Sequence, residues 1–171
     1  YSKQHKQRNM SLGIKQDKIY LNVKEGRIIY KNPKGEETAY DYVEGNLVGI
    51  SKRERDFKGE PVVYWYFDIE GEKGELYSLS MPYSSGVAKA ILNSLASVEE
   101  LGKVRIETYQ SGEFTKSIIY NNGDRLSWKY STLPPIEEVK VGERIVKDDS
   151  KRMALFNEIA QNIVNSINKE I

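Results

Sequence analysis

Between Pro61 and Ile69 the chain reads PVVYWYFDI, an unbroken succession of β-branched and aromatic residues. Such a run fits a pleated, half-buried surface and predicts a strand. Side chains alternate across a strand, so Val63, Trp65, Phe67 and Ile69 share one face, and Val62, Tyr64, Tyr66 and Asp68 share the other. The first set requires a dry core. The second ends in hydroxyls and a carboxylate and tolerates water, so it forms either a packed sheet or a stacking surface.

The neighbouring stretches extend this strand into a sheet. Upstream, KIYLNV (18–23) and RIIYK (27–31) flank Lys24-Glu25-Gly26 and predict a short hairpin. Asn32-Pro33-Lys34-Gly35 turns the chain towards a further short strand over 37–43. A strand over 44–53 follows, with Val48 and Ile50 on one face and Leu47, Gly49 and Ser51 on the other; the internal glycine marks a bulge or sharp coil. Residues 52–60, KRERDFKGE, read as a charged loop. Beyond the central strand, ELYSLSM (75–81) alternates as a third strand with Tyr77, Leu79 and Met81 in register.

At residue 82 the period changes. Val87, Ala88, Ala90, Ile91, Leu92 and Leu95 recur at helical spacing after Ser84 and Ser85, both good N-caps. KVRIETYQ (103–110) and FTKSIIYN (114–121) are predicted as the fourth and fifth strands, and RLSWKY (125–130) as a short strand before Pro134-Pro135 interrupts regular structure. Residues 136–147 are polar and weakly strand-like. Asp148, Asp149 and Ser150 cap a final amphipathic helix over 151–169, whose stripe comprises Met153, Phe156, Ile159, Ala160, Ile163, Val164 and Ile167. The expected organisation is a flexible arm (1–17), a β domain with an N-terminal hairpin (18–135), and a linker with a C-terminal helix (136–171). The order strand-strand-strand-helix-strand-strand is that of a five-stranded OB-like barrel with a helix between strands 3 and 4, a mostly β fold.

In that fold, ligands lie across strands two and three, flanked by the first–second and fourth–fifth strand loops. Here strand two offers Tyr64 and Tyr66, strand three Tyr77, and the first loop Lys52, Arg53, Arg55 and Lys58; strand four adds Arg105 and Tyr109, and the late strand Tyr130. Aromatic faces stack bases regardless of sequence, and cations neutralise phosphates in a salt-dependent way. Each feature also has a plainer reading. The C-terminal helix or the N-terminal hairpin would cover Tyr64 and Tyr66; the acids Glu54, Asp56 and Glu60 among the loop cations suit a solvated loop. Trp65 belongs to the core, Trp128 suits edge packing, and Ser84-Ser85-Gly86 suits an ordinary N-cap better than a phosphate cradle.

The segment from about Leu47 to Pro135 resembles single-stranded-DNA-binding proteins encoded by bacteriophages and mobile elements, which have an OB fold. The residues carrying the likeness are LVGI (47–50), YWYF (64–67), MPYSSGVAKAILNSL (81–95) and GDRLSWKY (123–130). The resemblance implies binding of single-stranded DNA, or RNA, in replication or recombination. Many such proteins end in an acidic tail that recruits partners, whereas this chain ends in an amphipathic helix and INKEI, so recruitment through a tail is not implied here.

Catalysis has little to build on. His5 is the only histidine, there is no cysteine, and GxxxxGK[ST] is missing, so a Ser-His-Asp triad, a thiolate metal site and a phosphate loop lack their residues. The paired acids Glu99/Glu100, Glu137/Glu138 and Asp148/Asp149 are sequence neighbours that point apart. The expectation is a non-enzymatic, cytoplasmic protein with no cofactor and no membrane association. Net charge is only +1, so nucleic-acid binding has to come from local cations rather than overall basicity. The first residue is Tyr1, which leaves an upstream start and a removed signal peptide open. Two other readings stand beside DNA binding: an assembly protein that oligomerises through its C-terminal helix, and an exported carbohydrate- or protein-binding β-module.

Overall fold

The computed structural model describes residues 17–169. Residues 1–16 of the predicted arm (1–17), His5 among them, lie outside the described residues. The fold is mostly β, with two helices among the described residues. The elements are β1 (Lys18–Lys24), β2 (Arg27–Lys31), β3 (Glu37–Tyr40), β4 (Tyr42–Phe57), β5 (Glu60–Glu70), β6 (Leu76–Pro82), α1 (Gly86–Leu95), β7 (Lys103–Ser111), β8 (Phe114–Asn121), β9 (Asp124–Arg125), β10 (Glu137–Val141), β11 (Arg144–Asp148) and α2 (Ser150–Lys169).

The main sheet has the order β3-β2-β1-β6-β5-β4-β7-β8-β9. Its ladder runs open from β3 to β9, and no hydrogen-bonded closure into a barrel occurs among the described residues. The predicted hairpin forms at Glu25-Gly26, but β1 also pairs in parallel with β6, which occupies that edge of the sheet. The sheet curls far enough to bring the β1–β2 turn against β7. Thr108 Oγ1 donates to the Gly26 carbonyl at 2.9 Å, and the Gly26 amide donates to Thr115 Oγ1 at 3.2 Å. Gly26 has φ +78°, and a Cβ there would collide with the Gln110 backbone, so glycine is required.

Alternation places the core. Trp65, Phe67 and Ile69 of β5, Leu79 and Met81 of β6, and Val104 and Ile106 of β7 are buried on the concave face, together with Leu21, Ile28, Val43, Leu47 and Ile119. A bulge at Val48 shifts the register between Leu47 and Gly49. It turns Val48 outward, exposed, rather than inward beside Ile50 as its spacing suggested. The predicted charged loop is a correction too. Lys52–Phe57 continue β4, and only Lys58-Gly59, both at positive φ, turn the chain into β5.

Helix α1 begins as its caps predict: Ser85 Oγ accepts the Ala88 amide at 3.2 Å. Its apolar side packs on β8, β6 and α2. Helix α2 buries Met153, Phe156, Ile159 and Ala160 in the same core, against β4 and α1. The first half of its stripe is therefore used within the chain, while Ile163, Val164 and Ile167 are only partly buried. The predicted strand 125–130 ends at Arg125. Asn93 of α1 captures the following segment instead, donating to the Tyr130 carbonyl and accepting its amide, both at 2.9 Å. Residues 136–148 form a separate hairpin, β10–β11. No helix among the described residues is long and apolar enough to cross a membrane.

Candidate functional site

The convex face of β4, β5, β6 and β1 carries one continuous set of side chains. Cross-strand partners share a face, so the pairs Arg53↔Tyr64, Ser51↔Tyr66 and Arg55↔Val62 place Arg53, Arg55, Tyr64 and Tyr66 together. The guanidinium of Arg53 lies 4.1 Å from the Tyr66 ring centroid, and that of Arg55 lies 4.0 Å from the Tyr64 centroid. Both distances are within cation–π contact. Tyr66 is only 6% exposed under this cover and Tyr64 is half-buried. The expected open tyrosine ladder is therefore corrected: Tyr66 is buried and only Tyr64 keeps part of its surface. The arginines roof them, and both arginines are exposed to solvent.

The same face continues onto β6 and β1, where Tyr64 opposes Pro82, Tyr66 opposes Ser80, and Ser80 opposes Asn22. A groove of about 300 Å³ runs there, lined by Asn22, Lys24, Lys31, Arg55, Tyr64 and Ser80, with Ile29 and Pro82 as apolar wall and Glu37 as its one acid. Lys24 Nζ stands 3.8 Å from that carboxylate. Three cations against one acid leave the groove positive. Further along, Tyr20 is half exposed on the same face and Lys18 pairs with Asp68 at 2.9 Å. Sequence reasoning missed Tyr20, Asn22, Lys24 and Lys31. Their signal was the alternation of polar residues with Ile19, Leu21 and Val23, which acquires meaning only once β1 is known to join β6.

The remaining predicted site residues are dispersed. Lys52 faces the other way, as its pairing with Trp65 requires. Its ammonium sits 5.7 Å from the Trp65 ring and 5.4 Å from Tyr83, and donates to Asn157 Oδ1 of α2 at 2.6 Å. Lys58 is in the β4–β5 turn, over Phe57. Tyr77 opposes Ile69 and so lies on the concave face. There it lines a separate cleft of about 650 Å³ with Tyr30, Tyr40 and Tyr42. Burial raises the Tyr77 phenol above its ordinary pKa, with Glu75 adding to the effect. Tyr130 packs between α1 and α2.

Arg105 and Tyr109 belong to β7, which pairs with the first half of β4 before the bulge, whereas Arg53 and Arg55 lie in the second half. Arg105 is also engaged: its Nε donates to Glu44 Oε2 at 2.7 Å, its Nη1 to Glu107 Oε2 at 3.4 Å, and its guanidinium carbon lies 4.2 Å from the Tyr42 ring centroid. That hydrogen bond, with Lys103 beside it, holds the Glu44 carboxyl below its ordinary range despite some opposing burial. The structure thus brings together Arg53, Arg55, Tyr64 and Tyr66, and separates them from Lys52, Tyr77, Arg105, Tyr109 and Tyr130. No family model, no curated protein and no solved structure matches the chain.

Proposed function

We propose that the chain is a non-catalytic single-stranded-DNA-binding protein of replication or recombination, using the convex face of β4, β5, β6 and β1. The observation that carries this reading is the pair of Arg–Tyr stacks beside a positive groove. Guanidinium planes and aromatic rings both stack on unpaired bases, while Lys24, Lys31 and the arginines neutralise phosphates. The segment order supports it as well: β4, β5 and β6, then α1, then β7 and β8 lie in the spatial order β6-β5-β4-β7-β8, that of an OB-type sheet, with the ligand face on the second and third strands. The N-terminal hairpin enlarges that face rather than covering it. Fluorescence-anisotropy titration with an oligo-dT strand tests the proposal. Binding should be strong at low salt and fall steeply as salt rises; absent or salt-insensitive binding overturns it.

A further inference from the structure

The β10–β11 hairpin stands outside the main sheet, and all five residues of β10 are exposed. Val139 opposes Val146, and side chains alternate along β10, so Val139, Val141 and Val146 share one face. All three are exposed, as is Ile145 on the other face. A two-stranded hairpin is marginally stable in water by itself, and apolar side chains exposed together mark a contact surface. Its charges are mixed in sign, with Glu137, Glu138 and Lys140 on β10 and Arg144, Lys147 and Asp148 on β11. The hairpin therefore offers no cationic track for a phosphate chain.

The turn fixes which backbone groups are free. Gly142-Glu143 is a two-residue loop, so Val141↔Arg144 is a hydrogen-bonded pair, and alternation makes Val139↔Val146 another. The amides and carbonyls of Glu138 and Lys140 point away from β11, along an edge with no strand partner among the described residues. An antiparallel copy of β10, turned about Val139, sets Glu138 against Lys140 and Lys140 against Glu138. Those are the residues whose backbone groups are free, and their side chains carry opposite charge. The strand is complementary to itself in register, hydrogen bonding and charge.

We propose that β10 pairs in this way with β10 of a second copy of the chain. The two hairpins join into a four-stranded sheet, with Val146 and Val139 of each copy in one row across it. β11 has no equal claim. Its Asp148 would have to meet Arg144 of the second copy, but it already accepts the Ser150 amide at 2.9 Å where α2 begins. Five residues a side is far fewer than the roughly 20–30 of a standard interface. The pairing is therefore weak, and a covalent trap reads it best.

The chain has no cysteine. Val139 against Val139 is a non-hydrogen-bonded pair, which brings Cα atoms to about 4.5 Å, within disulfide reach. Oxidised glutathione would be added to Val139→Cys, Val141→Cys and Val146→Cys, and dimer formation followed on non-reducing gels. Val139→Cys should cross-link about tenfold faster or more than the other two, whose thiols stay apart in the joined sheet. On the Val139→Cys background, Lys140→Glu or Glu138→Lys alone sets like charges opposite each other. Either should slow the reaction about two- to tenfold. Mixing those two chains puts opposite charges face to face again and should restore the rate, which a misfolded hairpin would not allow. Val146→Cys reacting fastest overturns pairing through β10. Equal rates at all three positions, or no recovery on mixing, overturn a second copy as the occupant.

Discussion

Arg53 and Tyr64 oppose each other across the β4–β5 ladder, yet the Arg53 guanidinium covers Tyr66, two residues further along β5. Arg55 makes the same diagonal reach from Val62 to Tyr64. Ser51, opposite Tyr66, is small enough to leave that ring open to the neighbouring arginine. The offset yields two Arg–Tyr contacts side by side, with both arginines exposed to solvent.

These stacks predict a difference between charge and shape. Arg53→Ala with Arg55→Ala should lower oligo-dT affinity by about 1–3 kcal/mol per lost stacked base and reduce the log-affinity against log-salt slope by about 0.7 per lost phosphate contact. Arg53→Lys with Arg55→Lys keeps the charge but loses the planar stack. It should keep the slope and lose affinity. Titrations at several salt concentrations separate the two; identical behaviour of both double variants would show that the guanidinium plane has no role.

Lys52 is next to Arg53 in sequence and has a different task. It sits on Trp65 and Tyr83 and holds Asn157, whose Nδ2 donates to the Tyr83 hydroxyl at 2.5 Å. Lys52→Met should lower stability by about 0.5–1 kcal/mol for the cation–π contact, with a comparable loss for the hydrogen bond to Asn157. Oligonucleotide affinity should stay unchanged. Urea unfolding and a parallel titration check the pair of results; a loss of affinity with unchanged stability would place Lys52 in the binding face.

The difference between these two neighbours explains what the sequence could and could not convey. Alternation in PVVYWYFDI assigned Trp65, Phe67 and Ile69 inward and Tyr64 and Tyr66 outward, and helical spacing located both helices, because periodicity is a local property. It also placed Tyr77 with Leu79 and Met81, which already argued against grouping it with Tyr64. The stretch 52–57 read as a loop because its alternation is charged, and charge does not announce a strand until the aromatic partner strand is seen beside it. Lys24, Lys31 and Asn22 stayed hidden because parallel pairing of β1 with β6 joins residues about 58 apart in the chain. No local pattern encodes such a contact.

Phe156 is fully buried where α2 meets the sheet and α1. Phe156→Ala should cost about 3–5 kcal/mol, the usual range for emptying an aromatic core position. The urea midpoint should fall by the same amount at every protein concentration. A midpoint that rises with concentration would instead place this side chain at an interface between two chains.

Glu44 provides a pH-dependent contribution whose sign is fixed by its partners. Arg105 and, after it, Lys103 hold its carboxyl below the ordinary range, at 2.7 Å and 3.1 Å. A carboxylate with a lowered folded-state pKa stabilises the fold above its unfolded value, and that stability is lost as pH falls through the folded value. Glu44→Gln should therefore melt below the wild-type chain at pH 7. The gap should persist down to about pH 4, the ordinary range for glutamate, and close at lower pH as the wild-type carboxylate takes up its proton. Thermal melts of the two proteins from pH 7 to pH 3 measure this directly. A gap that stays constant over the whole range would trace the loss to packing around Glu44 rather than to its charge, and would release Arg105 from the role given to it here.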